Sequence, residues 1–282
     1  MNQAQNITFT PAQADRLREL GQDFDEPLTF DTAALRETAY KKFEREQIAR
    51  GKRRLATMKA EKGRPALPQL QEALARALTA EGFVQVMTPT IIPRKFLERM
   101  TIDDAHALHS QVFWVDHNKC LRPMLAPNLY EVSKNLLGIW KTPVQIFEIG
   151  SCFRKESQGR RHLNEFTMLN LVEWGTPMDE RDERIRQLAA VVMKAAGIED
   201  YSFEQEDSVV YGDTIDVVQG DVELGSSSKG PHALDPAWGI MEPWVGIGFG
   251  LERLIMTRDK APNIHSVGRS VSYLDGVRLN IK

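Results

Sequence analysis

Phe153, Arg154, Lys155 and Glu156 close an apolar run, and a polar stretch over 157–163 separates them from Phe166. An arginine at such a strand end can hold the negative charge that builds on phosphorus when a carboxylate displaces pyrophosphate. Its guanidinium is a two-pronged donor that lysine cannot copy. Phe166 offers a flat apolar ring on which a planar base can lie. Taken alone, these residues also describe a surface Arg–Glu pair beside a core phenylalanine.

A second group is Gly248, Phe249, Gly250, Leu251, Glu252 and Arg253. Glycines let a ligand approach the backbone closely. Arg253 falls in the first turn of a predicted helix, where exposed N–H groups already make the potential positive. A cation there is costly unless an anion joins it, and a terminal phosphate is such an anion. A third group is Asp221 and Glu223, two apart and so expected on one strand face, with Ser226 nearby. Hard oxygen donors of this kind can hold Mg²⁺ while phosphates complete its shell. A glycine-bulged strand with an incidental arginine, and an exposed acidic hairpin, are the plainer accounts of these two groups. All three groups in one chain, in this order, favour a single bound triphosphate.

The elements that must carry these residues are legible from periodicity. Leu67, Leu70, Leu74 and Leu78 share one face of a helix predicted over 66–81, with Pro68 in its first turn and Gly82 as its stop. A strand follows over 83–87, ending near Pro89. A helix is expected from Pro127 to Gly138 and a strand over 144–149. Over 165–174 alternation puts Phe166, Met168, Asn170, Val172 and Trp174 on one face. An amphipathic helix spans 181–196, with Gly197 as its stop. Strands are expected over 208–217 and 221–224, with a tight turn at Gln219 and Gly220. The glycine-rich strand 244–250 then runs straight into a helix from Leu251. Meandering strands with helices outside predict an α+β fold with a largely antiparallel sheet.

Residues 1–62 read differently, as polar helices with little core, including 11–20 and 31–50. Net charge is −3, yet residues 41–64 hold ten Lys or Arg against three Glu, which leaves −10 on the remainder. A basic segment on an acidic chain points to a polyanion, nucleic acid first; a solvated helix with pairs such as Glu46 and Arg50 accounts for it equally well. Lys52, Arg53 and Arg54 are the candidate contacts. Cys120 and Cys152 lack metal-ligand spacing and suggest no disulfide framework, so a reducing, cytoplasmic setting is expected. No stretch approaches the roughly 18 apolar residues of a membrane span, so no membrane association is expected.

This order of groups resembles the class II aminoacyl-tRNA synthetases. Residues 67–89 resemble their first motif, a helix, strand and proline at a homodimer interface. Residues 153–156 resemble the second and residues 248–253 the third. Within the class, residues 50–282 are similar to the pyrrolysyl-tRNA synthetase family. The telling stretches are 121–130 (LRPMLAPNLY), 147–157 (FEIGSCFRKES), 162–170 (HLNEFTMLN), 210–217 (VYGDTIDV) and 244–254 (WVGIGFGLERL). The resemblance is strongest to the bacterial split form, whose catalytic polypeptide works beside a separate small tRNA-binding protein. It implies a class II catalytic domain over 63–282, and with a tRNA as substrate the basic segment makes residues 1–62 the expected tRNA-contacting helical appendage. The implied reaction is ATP- and Mg²⁺-dependent activation of pyrrolysine and its transfer to tRNA(Pyl).

Roles follow from the resemblance position by position. Arg154 matches the α-phosphate arginine and Arg253 the arginine near the γ-phosphate and adenine. Glu156, His162, Leu163 and Leu224 match other contacts around ATP, and Phe166 the adenine-stacking ring. Glu223 and Ser226 match the Mg²⁺ residues. Ala126, Leu129, Tyr130, Asn170, Val172, Tyr211, Trp244 and Gly246 match positions lining the amino-acid pocket. Asn170 stands out independently, because an unpaired amide on an apolar face costs roughly 1–3 kcal/mol; a satisfied core amide is the alternative to a substrate reader. Ser133, expected to face the pocket, and the polar run 225–229 (GSSSK) depart from the family pattern and bear on the substrate. The alternatives are a class II synthetase for another large apolar or modified amino acid, and a non-catalytic synthetase-like paralogue, against which Arg154 and Arg253 argue.

Overall fold

Alternating apolar residues on successive strands build one twisted sheet whose two faces have different fates. The computed structural model describes residues 7–24, 26–155, 162–208 and 210–281. The chain opens with helices α1 (Pro11–Glu19), α2 (Ala33–Ala60) and α3 (Ala66–Ala80). Short strands β1 (Val84–Gln85) and β2 (Ile91–Pro93) follow, then α4 (Arg94–Arg99), β3 (Lys119–Leu121) and α5 (Ala126–Leu137). The central hairpin is β4 (Val144–Phe153) and β5 (Glu165–Trp174), followed by α6 (Arg181–Ala196). Next come β6 (Ser202–Ser208), β7 (Gly212–Gln219), β8 (Val222–Gly230), α7 (Asp235–Trp238), β9 (Trp244–Gly250) and α8 (Leu251–Arg258). The chain closes with β10 (Tyr273–Leu274) and β11 (Val277–Arg278).

Seven strands form the main sheet in the order β1-β4-β5-β9-β8-β7-β6. Every neighbouring pair is antiparallel except β1 with β4. One face carries Phe147, Leu169, Leu171, Val217, Val245, Ile247 and Phe249, and packs with leucines of α3 and the apolar stripes of α6 and α8. The four leucines read from the sequence are all buried there. Burying each side chain contributes roughly 1.5–3 kcal/mol, so this layer anchors the fold. The other face is left open over β5, β9, β8 and β7. At one end it is closed by α4, α5 and α7 around Tyr130, Trp174, Trp238 and Trp244.

The expected elements appear, with instructive differences. β4 runs to Phe153 rather than stopping at 149, because it pairs with β5 along its whole length, Val144 with Trp174 through Phe153 with Glu165. β1 shrinks to two residues, since Phe83 turns into the core and only Val84 and Gln85 pair with β4. The strand expected over 208–217 is divided. Its start ends β6, Val210 and Tyr211 form a turn, and β7 begins at Gly212. β6 went unread because SFEQEDS carries one strongly apolar residue, which suits the edge strand it is. β8 continues to Gly230 because its polar run pairs with β9, from Gly225 with Phe249 to Gly230 with Trp244.

The N-terminal segment has more core than its polarity suggested. Phe9 contacts Phe24, Phe30 and Phe43 with ring centroids 5.0–6.3 Å apart, and Leu17 is fully buried. Helix α2 rests on the C-terminal strand where Gly51 meets Val277 and Ile281; a Cβ there would stand 3.0 and 3.1 Å from them. Arg54 pairs with Asp275 at 3.0 Å, whereas Lys52 and Arg53 are exposed.

Candidate active site

The open face of the sheet floors a cavity of about 670 Å³. Phe166, Met168, Asn170, Val172 and Trp174 all line it, as alternation along β5 required. On β9 the cavity face is Trp244, Gly246, Gly248 and Gly250. The middle glycines keep the floor low. A Cβ on Gly248 would lie 3.1 Å from the Asn170 amide oxygen, and one on Gly246 3.3 Å from the Leu171 carbonyl.

One end of the cavity is cationic. Arg154 leaves the end of β4 with its Nε donating to the Pro123 carbonyl at 2.9 Å and its guanidinium over the Phe166 ring at 5.4 Å. Arg253, the third residue of α8, donates to the Glu223 carbonyl at 2.8 Å and pairs with the Glu223 carboxylate at 3.3 Å. Both guanidiniums, far apart in sequence, line the one cavity, together with His162, Leu163, Glu223 and Ser226. Glu156 lies outside the described residues. The side chain of Leu224 is turned into the core, 1% exposed, and does not line the cavity.

That turn has a local cause. β8 carries a bulge opposite Val217 and Val218, which pair with Gly225 and Glu223 and leave Leu224 as the extra residue. Glu223 and Ser226, three apart, therefore face the same side. Asp221 sits in the turn before the strand, not on it, though it also borders the cavity. Ser226 Oγ donates to Asp216 Oδ1 at 2.6 Å, so its lone pairs remain for a ligand. One carboxylate and one hydroxyl suit Mg²⁺, which keeps waters and phosphate oxygens in most of its shell. Among the described residues no group of three or more His, Cys, Asp or Glu could hold a metal alone.

Glu252, beside Arg253, is 1% exposed and is held by the Thr167 N–H at 2.8 Å and the Thr167 hydroxyl at 2.8 Å. Burial raises its carboxyl above the ordinary range, against the lowering effect of those bonds. It locks the first turn of α8 to β5 and so fixes where Arg253 emerges.

The other end of the cavity is aromatic. Ala126, Leu129, Tyr130, Asn170, Val172, Tyr211, Trp244 and Gly246, all expected at the pocket, line it. The Asn170 side chain makes no hydrogen bond to any described residue, so its amide faces the cavity with its bonding capacity unused. Met124 and Val210 also line this end and are missing from the sequence reading, because single residues in turns carry no periodic signal; Ser228, part of the polar run that departs from the family pattern, lines it too. Ser133 does not face the pocket. It is fully buried behind Trp174, and its hydroxyl accepts the Trp174 indole N–H at 2.8 Å. Of the polar run, Ser227 donates to the Ile215 carbonyl and Lys229 pairs outward with Asp182, so Ser228 and Ser226 are its cavity-facing side chains.

Beneath both ends runs a buried polar tie. The Arg122 guanidinium meets Glu148 at 2.7 Å, Thr88 Oγ1 at 3.0 Å and the Ser151 carbonyl at 2.8 Å. The Glu148 carboxylate accepts the Thr88 hydroxyl at 2.6 Å, and Asn128 of α5 donates to Thr88 Oγ1 and to the Pro89 carbonyl. The same stretch supplies the Pro123 carbonyl under Arg154. The tie thus links α5, which lines the aromatic end, to the strand that delivers Arg154.

Known proteins agree with this geometry. The family model for the phenylalanyl-tRNA synthetase beta chain CLM domain matches residues 52–229. Among curated proteins, the chain is 25% identical over 224 residues to the phenylalanine–tRNA ligase alpha subunit of Methanothermobacter thermautotrophicus, covering 74% of this chain and 43% of that one. It is 28% identical over 97 residues to the threonine–tRNA ligase of Treponema pallidum, 16% of that protein. The chain thus spans less than half the length of these curated relatives. Two solved structures from Desulfitobacterium hafniense, both described as pyrrolysyl-tRNA synthetase, superpose with TM-scores of 0.93. One is 53% identical, covering 98% of this chain and 99% of that one; the other is 50% identical, covering 99% and 98%. Matched at that identity along nearly its whole length, the chain belongs to the pyrrolysyl-tRNA synthetase family of class II aminoacyl-tRNA synthetases.

Proposed function

We propose that this protein activates pyrrolysine with ATP and transfers it to tRNA(Pyl). The carrying observation is the division of one cavity into a cationic end with two guanidiniums and an aromatic end with an unpartnered amide. In this reading the phosphates lie between Arg154 and Arg253 and the adenine lies against Phe166. His162, Leu163, Glu156 and the Leu224 backbone complete the nucleotide's surroundings. The aromatic end takes the long lysine-derived side chain, and Asn170 donates to its amide carbonyl while Tyr211 closes over the ring.

The substrate carboxylate attacks the α-phosphorus in line, and Arg154 holds the charge that grows there. The terminal ribose hydroxyl of the tRNA then attacks the acyl-adenylate. Neither step demands a dedicated protein base; positioning and fixed charge supply most of the acceleration. Glu223 and Ser226 are the residues that would hold Mg²⁺, which when bound would neutralise phosphate charge.

Lys52, Arg53 and Arg54 are assigned to the tRNA, within an appendage over 1–62 that serves the catalytic domain over 63–282. A homodimer through residues 67–89 is supported by the exposed Val84 and Met87 at the sheet edge. A separate small tRNA-binding protein is the expected partner. The setting is cytoplasmic, in keeping with two free cysteines; among the described residues no helix is long and apolar enough to cross a membrane.

A second reading, a synthetase for another large modified amino acid, is favoured by Ser228, a hydroxyl in the wall of the aromatic end. ATP–pyrophosphate exchange with pyrrolysine, Nε-acylated lysines, phenylalanine and lysine distinguishes the two. Exchange driven only by phenylalanine or lysine would overturn the first. Charging of tRNA(Pyl) with and without the small tRNA-binding protein tests the partner.

A further inference from the structure

We infer that Asp235 is the positioning residue of the aromatic end, a single buried carboxylate that fixes Tyr130 and Trp244, two walls of the site supplied by separate elements. The inference rests on the reading that this end holds the amino-acid side chain.

Asp235 opens the four-residue helix α7, is 1% exposed, and stands behind the cavity wall rather than in it. Its Oδ1 accepts the Tyr130 hydroxyl at 2.8 Å. Its Oδ2 accepts the Trp244 indole N–H at 2.9 Å and the His232 backbone N–H at 2.5 Å. Tyr130 comes from α5 and Trp244 from β9, so one carboxylate couples two walls built by separate elements. The surroundings are otherwise aromatic: Tyr130 stacks on Trp238 at 5.2 Å and meets Trp174 edge-on at 5.5 Å. A carboxylate is tolerated in such a place only when it is hydrogen-bonded, and here three donors meet it.

Tyr211, in the turn before β7, is joined to the same segment. His232 ties the same turn from behind. Its Nδ1 accepts the Leu234 N–H at 3.2 Å, which leaves the proton on Nε2 to be donated to the Tyr211 carbonyl at 3.0 Å. The His232 and Tyr211 rings also meet, 5.4 Å between centroids. Asparagine in place of Asp235 keeps the shape but offers one acceptor oxygen and turns an NH₂ toward a donor. Tyr130 then becomes the acceptor, and the contact that held its ring is reversed.

The test is ATP–pyrophosphate exchange driven by an Nε-acylated lysine, with wild type, Asp235→Asn, Tyr130→Phe and the double variant. Asp235→Asn is expected to raise the amino-acid KM roughly tenfold or more, with the ATP KM unchanged within about twofold. Because Asp235 acts through Tyr130, the double variant is expected to cost clearly less than the product of the two single effects. An unmoved amino-acid KM overturns the inference. So does a joint rise of both KM values, or full multiplication of the two effects. Should Asp235→Asn fail to fold, Tyr130→Phe alone must reproduce the split between the two KM values, and an unchanged amino-acid KM again overturns it. Wild type that ignores every Nε-acylated lysine sinks the substrate reading, whereas wild-type exchange that Asp235→Asn leaves unaltered sinks only the role of Asp235.

Discussion

The two ends of the cavity are held by opposite means. At the cationic end each guanidinium has its own tether, Arg154 on the Pro123 carbonyl and Arg253 on Glu223, and neither tether involves the other. At the aromatic end Tyr130, Trp174, Trp238 and Trp244 interlock, with Asp235 bonded to two of them. Phosphates are recognised by charge, which acts over distance and tolerates independent posts. A long, mostly apolar side chain is recognised by shape, which demands that the walls move together or not at all. Substitutions should therefore add across the two ends and fail to add within the aromatic one.

The largest expected effect breaks the comparison by removing the support common to both ends. Glu148→Ala leaves Arg122 buried without its partner, and loss of one member of such a pair costs about 3–5 kcal/mol. Urea denaturation reads this directly, and an unchanged midpoint would mean that the tie is dispensable. Next is Arg154→Ala, expected to lower pyrophosphate exchange by about 10²–10³-fold or more. Calorimetry should still register the amino acid, since the aromatic end is untouched; retained exchange would overturn the assignment of Arg154.

A smaller effect sharpens the contrast. Asn170→Ala is expected to raise the amino-acid KM by roughly 5–100-fold, the equivalent of one buried hydrogen bond, and to leave the ATP KM in place. Combined with Arg154→Ala, its penalty should simply multiply; strong coupling between the two would refute the independence of the ends. The smallest effect lies outside the cavity. Charge reversal at Lys52 and Arg53 should weaken tRNA binding modestly and flatten its salt dependence by about one unit of slope per lost contact. Affinity and slope that stay where they are would remove these residues from the tRNA surface.

The cationic end was the easier to read in the sequence, because its residues go against local preference. An arginine in the first turn of a helix and glycines within a strand call for an explanation, and a ligand provides it. The cavity face of β5 was legible for the reason that alternation has a period of two and no interruption from Phe166 to Trp174. β8 was not, since its bulge breaks that period; a strict alternation pairs Asp221 with Glu223, where the fold pairs Glu223 with Ser226. Asp235 and His232 carried no signal, lying in a short polar stretch whose importance comes only from contacts to Tyr130, Tyr211 and Trp244. The aromatic core of the N-terminal segment was hidden too, because Phe9, Phe24, Phe30 and Phe43 are scattered along a polar sequence and meet only when the chain folds back.

The extra residue in β8 makes chain length at that point as consequential as residue identity. Randomising the cavity walls can retune what the site accepts while leaving every side chain on its proper side. Inserting a single residue between Val217 and Val218 of β7, opposite Leu224, would instead restore ordinary alternation, sending the carboxylate of Glu223 toward the helices and the aliphatic side chain of Leu224 toward the nucleotide. Engineering at this strand should therefore treat spacing as fixed and composition as free.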